Sequence, residues 1–211
     1  MISAIQAAGT SIFLAIFAYL FYKWIKGIYE PKDISQGTSR DLTPAGSDRS
    51  VGADKLRKKA EAWARSHDAK VVGPVELEWS GLHAHFDFAV VGWFGVLGVT
   101  CLGYGGTIYG TAEEPEWTQD KNGARSTFAN PIADNQTAAR VLRGVLLDKG
   151  MRNLTTDTAV VFTGLDVELA LPRSVPYCTA DGFIPMLRGD RFTADKGADV
   201  EALCALLRPE G

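Results

Sequence analysis

A chain of 211 residues, 46% hydrophobic and 22% charged, has room for one globular domain with a proper core and an appendage. Its formal net charge of −3 excludes a molecule-wide basic field of the kind that collects nucleic acid. Cys101, Cys178 and Cys204 are odd in number, widely spaced and without a CxxC pair, a usage that fits small buried hydrophobes in a reducing compartment.

The first predicted element is a membrane-spanning helix. Residues 4–22 form a run of 19 positions with no charge, and at about 1.5 Å of rise per residue such a helix crosses a hydrocarbon core of roughly 30 Å. Tyr19, Tyr22 and Trp24 gather at its end, where amphipathic rings prefer the headgroup level, and Lys23 and Lys26 follow. No basic residue precedes the run and no small-residue cleavage site follows it, which argues against a cleaved signal peptide. The positive-inside bias places the N-terminus outside and the rest of the chain in the cytoplasm. The expected organisation is an anchor and flank over 1–28, a flexible linker over 29–52, a folded core over 53–164 and a C-terminal extension packed on it over 165–211.

After the Ser-, Thr-, Gly- and Pro-rich linker, residues 53–67 read as a helix with Leu56, Ala60, Trp63 and Ala64 on one face and a solvated basic face opposite. Strands are expected over 71–79 and 83–91, then a tight connection over 92–95 and an almost wholly apolar strand over 96–102, the pattern of burial on both faces. Residues 107–109 make a short extension, and 113–129 a polar excursion containing Trp117. A helix over 132–147 carries Ala138, Val141, Leu142, Val145 and Leu146 on one stripe, opened by Asn130-Pro131 and closed by Gly150. A buried strand follows at 158–162, then short edge strands at 167–171 and 175–177 and helices at 181–187 and 200–207.

Along that order lie Asp87, the turn Gly106-Thr107-Ile108-Tyr109-Gly110, Trp117, Asn130-Pro131-Ile132 and Val160-Val161-Phe162. This string of landmarks resembles the NERD domain, the nuclease-related domain of the PD-(D/E)XK nuclease superfamily. The resemblance implies an α/β (α+β) fold: a restriction-endonuclease-like αβββαβ core with a mixed central sheet flanked by helices, here preceded by one transmembrane helix. In the family, an Asp on the second strand, a Glu on the third and a Lys two residues later bind a divalent metal and position the attacking water. Laid on this sequence without a gap from Asp87 to Gly110, the Glu position is Thr100 and the Lys position is Leu102. The family motif Asn-Pro-x-x-Gln-Asn appears as Asn130-Pro131-Ile132-Ala133-Asp134-Asn135, with Asp134 at the Gln position.

Metal-assisted phosphodiester cleavage needs oxygen ligands on a hard cation and a group that orients or deprotonates water. Of the family set only Asp87 is retained, since Thr100 is a weak neutral ligand and Leu102 holds neither proton nor charge. Relocated ligands are the alternative: His83, His85 and Asp87 alternate along one strand and Glu76 and Glu78 along its neighbour, with Glu61 and Asp134 as further acids. Converging faces would suit Zn²⁺ or Mn²⁺. Same-face neighbours on one strand are some 7 Å apart, wide for a single ion, which favours a half-exposed polar sheet face. Asn130-Pro131 likewise reads as a helix entry, and the glycines of 103–106 as a turn requiring positive φ or close backbone approach.

The expected function is a single-pass, membrane-anchored cytoplasmic NERD-like domain without nuclease activity, a pseudoenzyme acting as a binding or interaction module. The alternative is a metal-dependent endonuclease acting on DNA or RNA through Asp87 with Glu76, Glu78, His85 or Asp134 as relocated ligands. No cofactor is expected, and Mg²⁺ or Mn²⁺ only for the active alternative. The expected partners are a lipid bilayer, through residues 4–22, and a protein the sequence does not identify, with nucleic acid the less supported choice.

Overall fold

Leu56, Ala60, Trp63 and Ala64, spaced three and four apart, form the buried stripe of helix α1 (Gly46–Arg65), while Lys55, Lys58 and Arg65 stay exposed. The computed structural model describes residues 46–172 and 177–208, within a unit running from Leu42 to Gly211. The expected membrane segment at 4–22 and most of the linker lie outside the described residues; the linker's last residues, 46–52, belong to α1. Among the described residues no helix is long and apolar enough to cross a membrane.

Beyond α1 the chain forms β1 (Lys70–Val72), a hairpin of β2 (Val75–Trp79) and β3 (Leu82–Phe86), then β4 (Phe88–Gly92) and β5 (Gly95–Leu102). The periodicity predicts single strands over 71–79 and 83–91, and both are divided. Pro74 has no N–H to give a ladder, and a Cβ on Gly73 (φ +148°) would stand 2.6 Å from the Cα of Phe88, so the chain leaves the sheet there. Asp87 sits in a bend between β3 and β4. The bend inverts the alternation, so Phe86 and Phe88, two residues apart, enter the cores on opposite sides of the sheet.

Next come β6 (Thr107–Tyr109), β7 (Glu116–Lys121), β8 (Ala124–Ala129), helix α2 (Pro131–Asp148), β9 (Thr155–Phe162), β10 (Glu168–Ala170) and β11 (Cys178–Thr179). Three helices close the chain: α3 (Ala180–Leu187), α4 (Asp190–Thr193) and α5 (Val200–Leu207). The central sheet has the order β1-β4-β5-β9-β11, antiparallel from β1 to β5 and parallel from β5 to β11. This is a mixed sheet with helices on both faces, as the resemblance implies. The polar excursion at 113–129 is more ordered than expected: β7 and β8 form a hairpin in a second sheet, order β10-β6-β7-β8. Only Cys178–Thr179 pairs in the region of the predicted strand at 175–177, whose first two residues are not described.

Period-two alternation sorts the central strands between two cores. Phe88, Val90, Leu97, Val99 and Cys101 pack under α1 and α3, while Ala89, Val91 and Val96 pack under α2 and α5. By the same parity Thr100 and Leu102 share the α2 face with Val96. The β2–β3 hairpin folds over α2, with Trp79 seated on Gly144, where a Cβ would meet the indole at 2.2 Å, and its Nε1–H donating to Asp148 at 2.9 Å. A third cluster joins the two sheets through Ile108, Trp117, Ile132, Val160 and Phe162. The glycine turn behaves as its composition demands: Gly106 has φ +74°, and a Cβ there would lie 2.4 Å from the backbone oxygen of Asp120.

Candidate functional site

The resemblance points to the C-terminal end of β5, and a cleft opens there. It has a volume of about 450 Å³. Its floor is Thr100, Leu102 and Val160 of the parallel pair β5–β9, one wall is the first two turns of α2, and the other wall is His83 and His85 of β3. Thr100 and Leu102 are half-buried, as strand residues facing a cleft should be.

Asn130 sets the helical wall. Its Oδ1 accepts from Ile132 N–H at 2.9 Å as the N-cap, and its Nδ2 donates to the carbonyl oxygens of Ala112 and Glu114 at 3.1 and 2.7 Å. The helix-entry reading of Asn130-Pro131 is therefore correct, and the same amide also ties the 111–114 loop to α2. One turn on, Asp134 is exposed at the cleft rim. Asn135 faces the cleft with its Oδ1 buried and without a hydrogen-bond partner among the described residues. The sequence marked Asn135 only as a motif position. A buried carbonyl oxygen left unpaired costs free energy.

The histidine wall is built from paired rungs. Antiparallel register sets Glu76 opposite His85 and Glu78 opposite His83. His85 Nδ1 lies 2.5 Å from Glu76 Oε1, and His83 Nδ1 lies 3.8 Å from Glu78 Oε2. On the far side of the His85 ring, Nε2 is 3.9 Å from Asp87 Oδ1. Glu76 and Asp87 thus flank opposite edges of one imidazole. An ion taken by either nitrogen would have only one of these carboxylates beside it, and that divergence is a stricter obstacle than the strand spacing weighed from the sequence.

Asp87 itself is turned to the sheet. Its Oδ2 accepts from the backbone N–H of Cys101 at 2.6 Å, its own N–H donates to Val99 O at 2.9 Å, and it does not line the cleft. Thr100, at the family's Glu position, donates from Oγ1 to the carbonyl of His85 at 3.4 Å. Glu61 lies on α1, across the sheet, paired with Arg57 at 3.1 Å. Among the described residues no group of three His, Cys, Asp or Glu side chains converges to hold an ion. The metal that the fold family uses does not fit the donors present: one carboxylate engaged with an amide, a neutral hydroxyl and an alkyl chain.

The groups that the cleft presents are few. It offers an imidazole–carboxylate wall, an apolar and hydroxyl floor, and an unpaired amide oxygen on a helix. The family model for NERD, the nuclease-related domain, matches residues 48–163, which contain all but the first two residues of α1, the cleft and β9. No curated protein matches the chain, and no solved structure does.

Proposed function

This chain belongs to the nuclease-related domain family, and on that premise we propose that its domain binds at the family's cleft without cutting phosphodiester bonds. The observation that carries this reading is the floor of the cleft. The two positions from which a nuclease would present a carboxylate and an ammonium carry Thr100 and Leu102, and they face the cleft beside His85. Stabilising a pentavalent transition state without either charge forgoes contributions each worth a few kcal/mol.

The test is direct. The purified chain, given duplex DNA, single-stranded DNA or RNA with Mn²⁺ or Mg²⁺, is expected to leave every substrate intact over hours. Titration calorimetry with Mn²⁺ is expected to be flat for the natural chain, and to show uptake once Thr100→Glu adds a carboxylate to the cleft floor. Cleavage by the natural chain that depends on added metal defeats the reading and reinstates the endonuclease with relocated ligands.

The same proposal places the domain on a bilayer, anchored by residues 4–22 with the N-terminus outside and the cleft in the cytoplasm. Support comes from the uncharged run, its aromatic end and the following lysines. Full-length chain is expected to stay in the membrane pellet after alkaline carbonate washing, and a chain lacking residues 1–28 to leave it. Release of both at the same wash would remove the anchor from the proposal.

A further inference from the structure

A second pocket, of about 300 Å³, lies at the opposite end of the β5–β9 pair from the cleft, where α2 gives way to β9. Three arginines from separate stretches reach it: Arg143 from α2, Arg152 from the connection to β9, and Arg191 from α4. Asn153, Thr155 and Thr156 belong to the same lining.

The charge balance at this place is uneven. Asp157 pairs with Arg191 at 2.5 Å, and among the described residues no carboxylate forms a direct ion pair with Arg143 or Arg152. Two guanidinium charges are thus left over from three. Burial pushes the Asp157 carboxyl above its ordinary range even though Arg191 and Arg143 beside it pull the other way. Guanidinium groups present forked N–H donors that match the spacing of phosphoryl oxygens, and threonine hydroxyls and an asparagine amide are the usual supplements.

We propose that Arg143, Arg152 and Arg191, with Asn153, Thr155 and Thr156, form a binding site for a phosphomonoester group. A dianion matches the two unneutralised charges, and the volume admits one phosphoryl group with a small attached moiety. The phosphoryl group belongs either to a free metabolite or to a lipid headgroup, which share this chemistry. The site is independent of the cleft, and its failure would leave the proposal for the cleft untouched.

The experiment titrates the full chain with inorganic phosphate and with glycerol 3-phosphate by calorimetry. Saturable binding is expected, weakened about tenfold or more by the double change Arg143→Gln, Arg152→Gln and unaltered by Arg125→Gln on β8. All three side chains are exposed, and an unchanged far-UV circular dichroism spectrum verifies that the variants fold. Vesicles of phosphatidic acid in phosphatidylcholine, compared with phosphatidylcholine alone, separate the sources: retention that requires Arg143 and Arg152 assigns a headgroup, and soluble ligand binding without retention assigns a metabolite. No saturable binding of either soluble phosphate overturns the proposal, as does equal weakening by Arg125→Gln. Retention of duplex DNA with no binding of inorganic phosphate also overturns it, since that outcome describes a polyanion surface and not a pocket.

Discussion

Trp117→Ala is expected to lower the unfolding free energy by about 3–5 kcal/mol, the range for truncating a large buried aromatic side chain. Trp117 is fully buried, stacks on Phe162 with ring centroids 6.3 Å apart, and meets Phe128 edge-on. Its Nε1–H donates to Thr111 O at 2.8 Å. The backbone was built around it: a Cβ on Gly110 would stand 2.3 Å from the indole, so no other residue fits beneath the ring. Alanine would leave a cavity between the two sheets, and Thr111 O would keep only the longer bond, at 3.3 Å, that Asn130 Nδ2 donates. Denaturant titration reads the loss as a fall in midpoint at unchanged slope, and thermal unfolding as a fall in Tm on the order of 10 °C. Trp117→Phe, which keeps most of the apolar area and loses the donor, is expected to cost a smaller part. A midpoint unchanged in Trp117→Ala would mean that the second sheet contributes nothing to the stability of the first.

That side chain also marks where sequence reasoning reaches its range. The order of helices and central strands follows from periodicity because burial on one face or two imposes a repeat, and β5, α2 and α5 obey it with little error. Of the two divided strands, 71–79 carries its break openly at Gly73-Pro74, but 83–91 does not. Asp87 interrupts an apolar run without a Gly or Pro to flag it, and its break depends on a hydrogen bond to a strand distant in sequence. The β7–β8 hairpin was hidden for a different reason: β8 is largely exposed, and its alternation is carried by polar residues that a hydrophobic pattern does not register. Trp117 packs between the two sheets although the segment that carries it is polar.

The candidate site was legible as a set of positions and not as a geometry. Thr100 and Leu102 occupy the cleft floor, as counting from Asp87 implied. His85 and Glu76 are neighbours because the hairpin register makes them so, and that register needs the turn at Ser80–Gly81, where both residues take positive φ. No spacing rule foretells that Asp87 and Glu76 end on opposite edges of the imidazole. Nor does one foretell the arginine pocket, whose members come from stretches nearly fifty residues apart, from Arg143 to Arg191.

Asp87→Ala provides the second large effect, and it distinguishes a scaffold role from a catalytic one. In the family Asp87 stands where a metal ligand belongs, but here its carboxylate spends one oxygen on the Cys101 amide at 2.6 Å, with the side chain 17% exposed. A hydrogen bond to a charged acceptor in such a place contributes about 1.5–3 kcal/mol, and removing it leaves the amide of a central strand to find a new partner at the bend. Asp87→Ala is therefore expected to destabilise the domain by that amount, read by denaturant midpoint. Asp87→Asn keeps an acceptor oxygen and is expected to lose less than half as much, since only the charge assistance goes. A metal ligand predicts a different order: alanine and asparagine would both abolish ion uptake and leave the apo fold unharmed. Should Asp87→Ala unfold at the same denaturant concentration as the natural chain, the carboxylate is not part of the scaffold, and its retention at the family position again calls for chemistry.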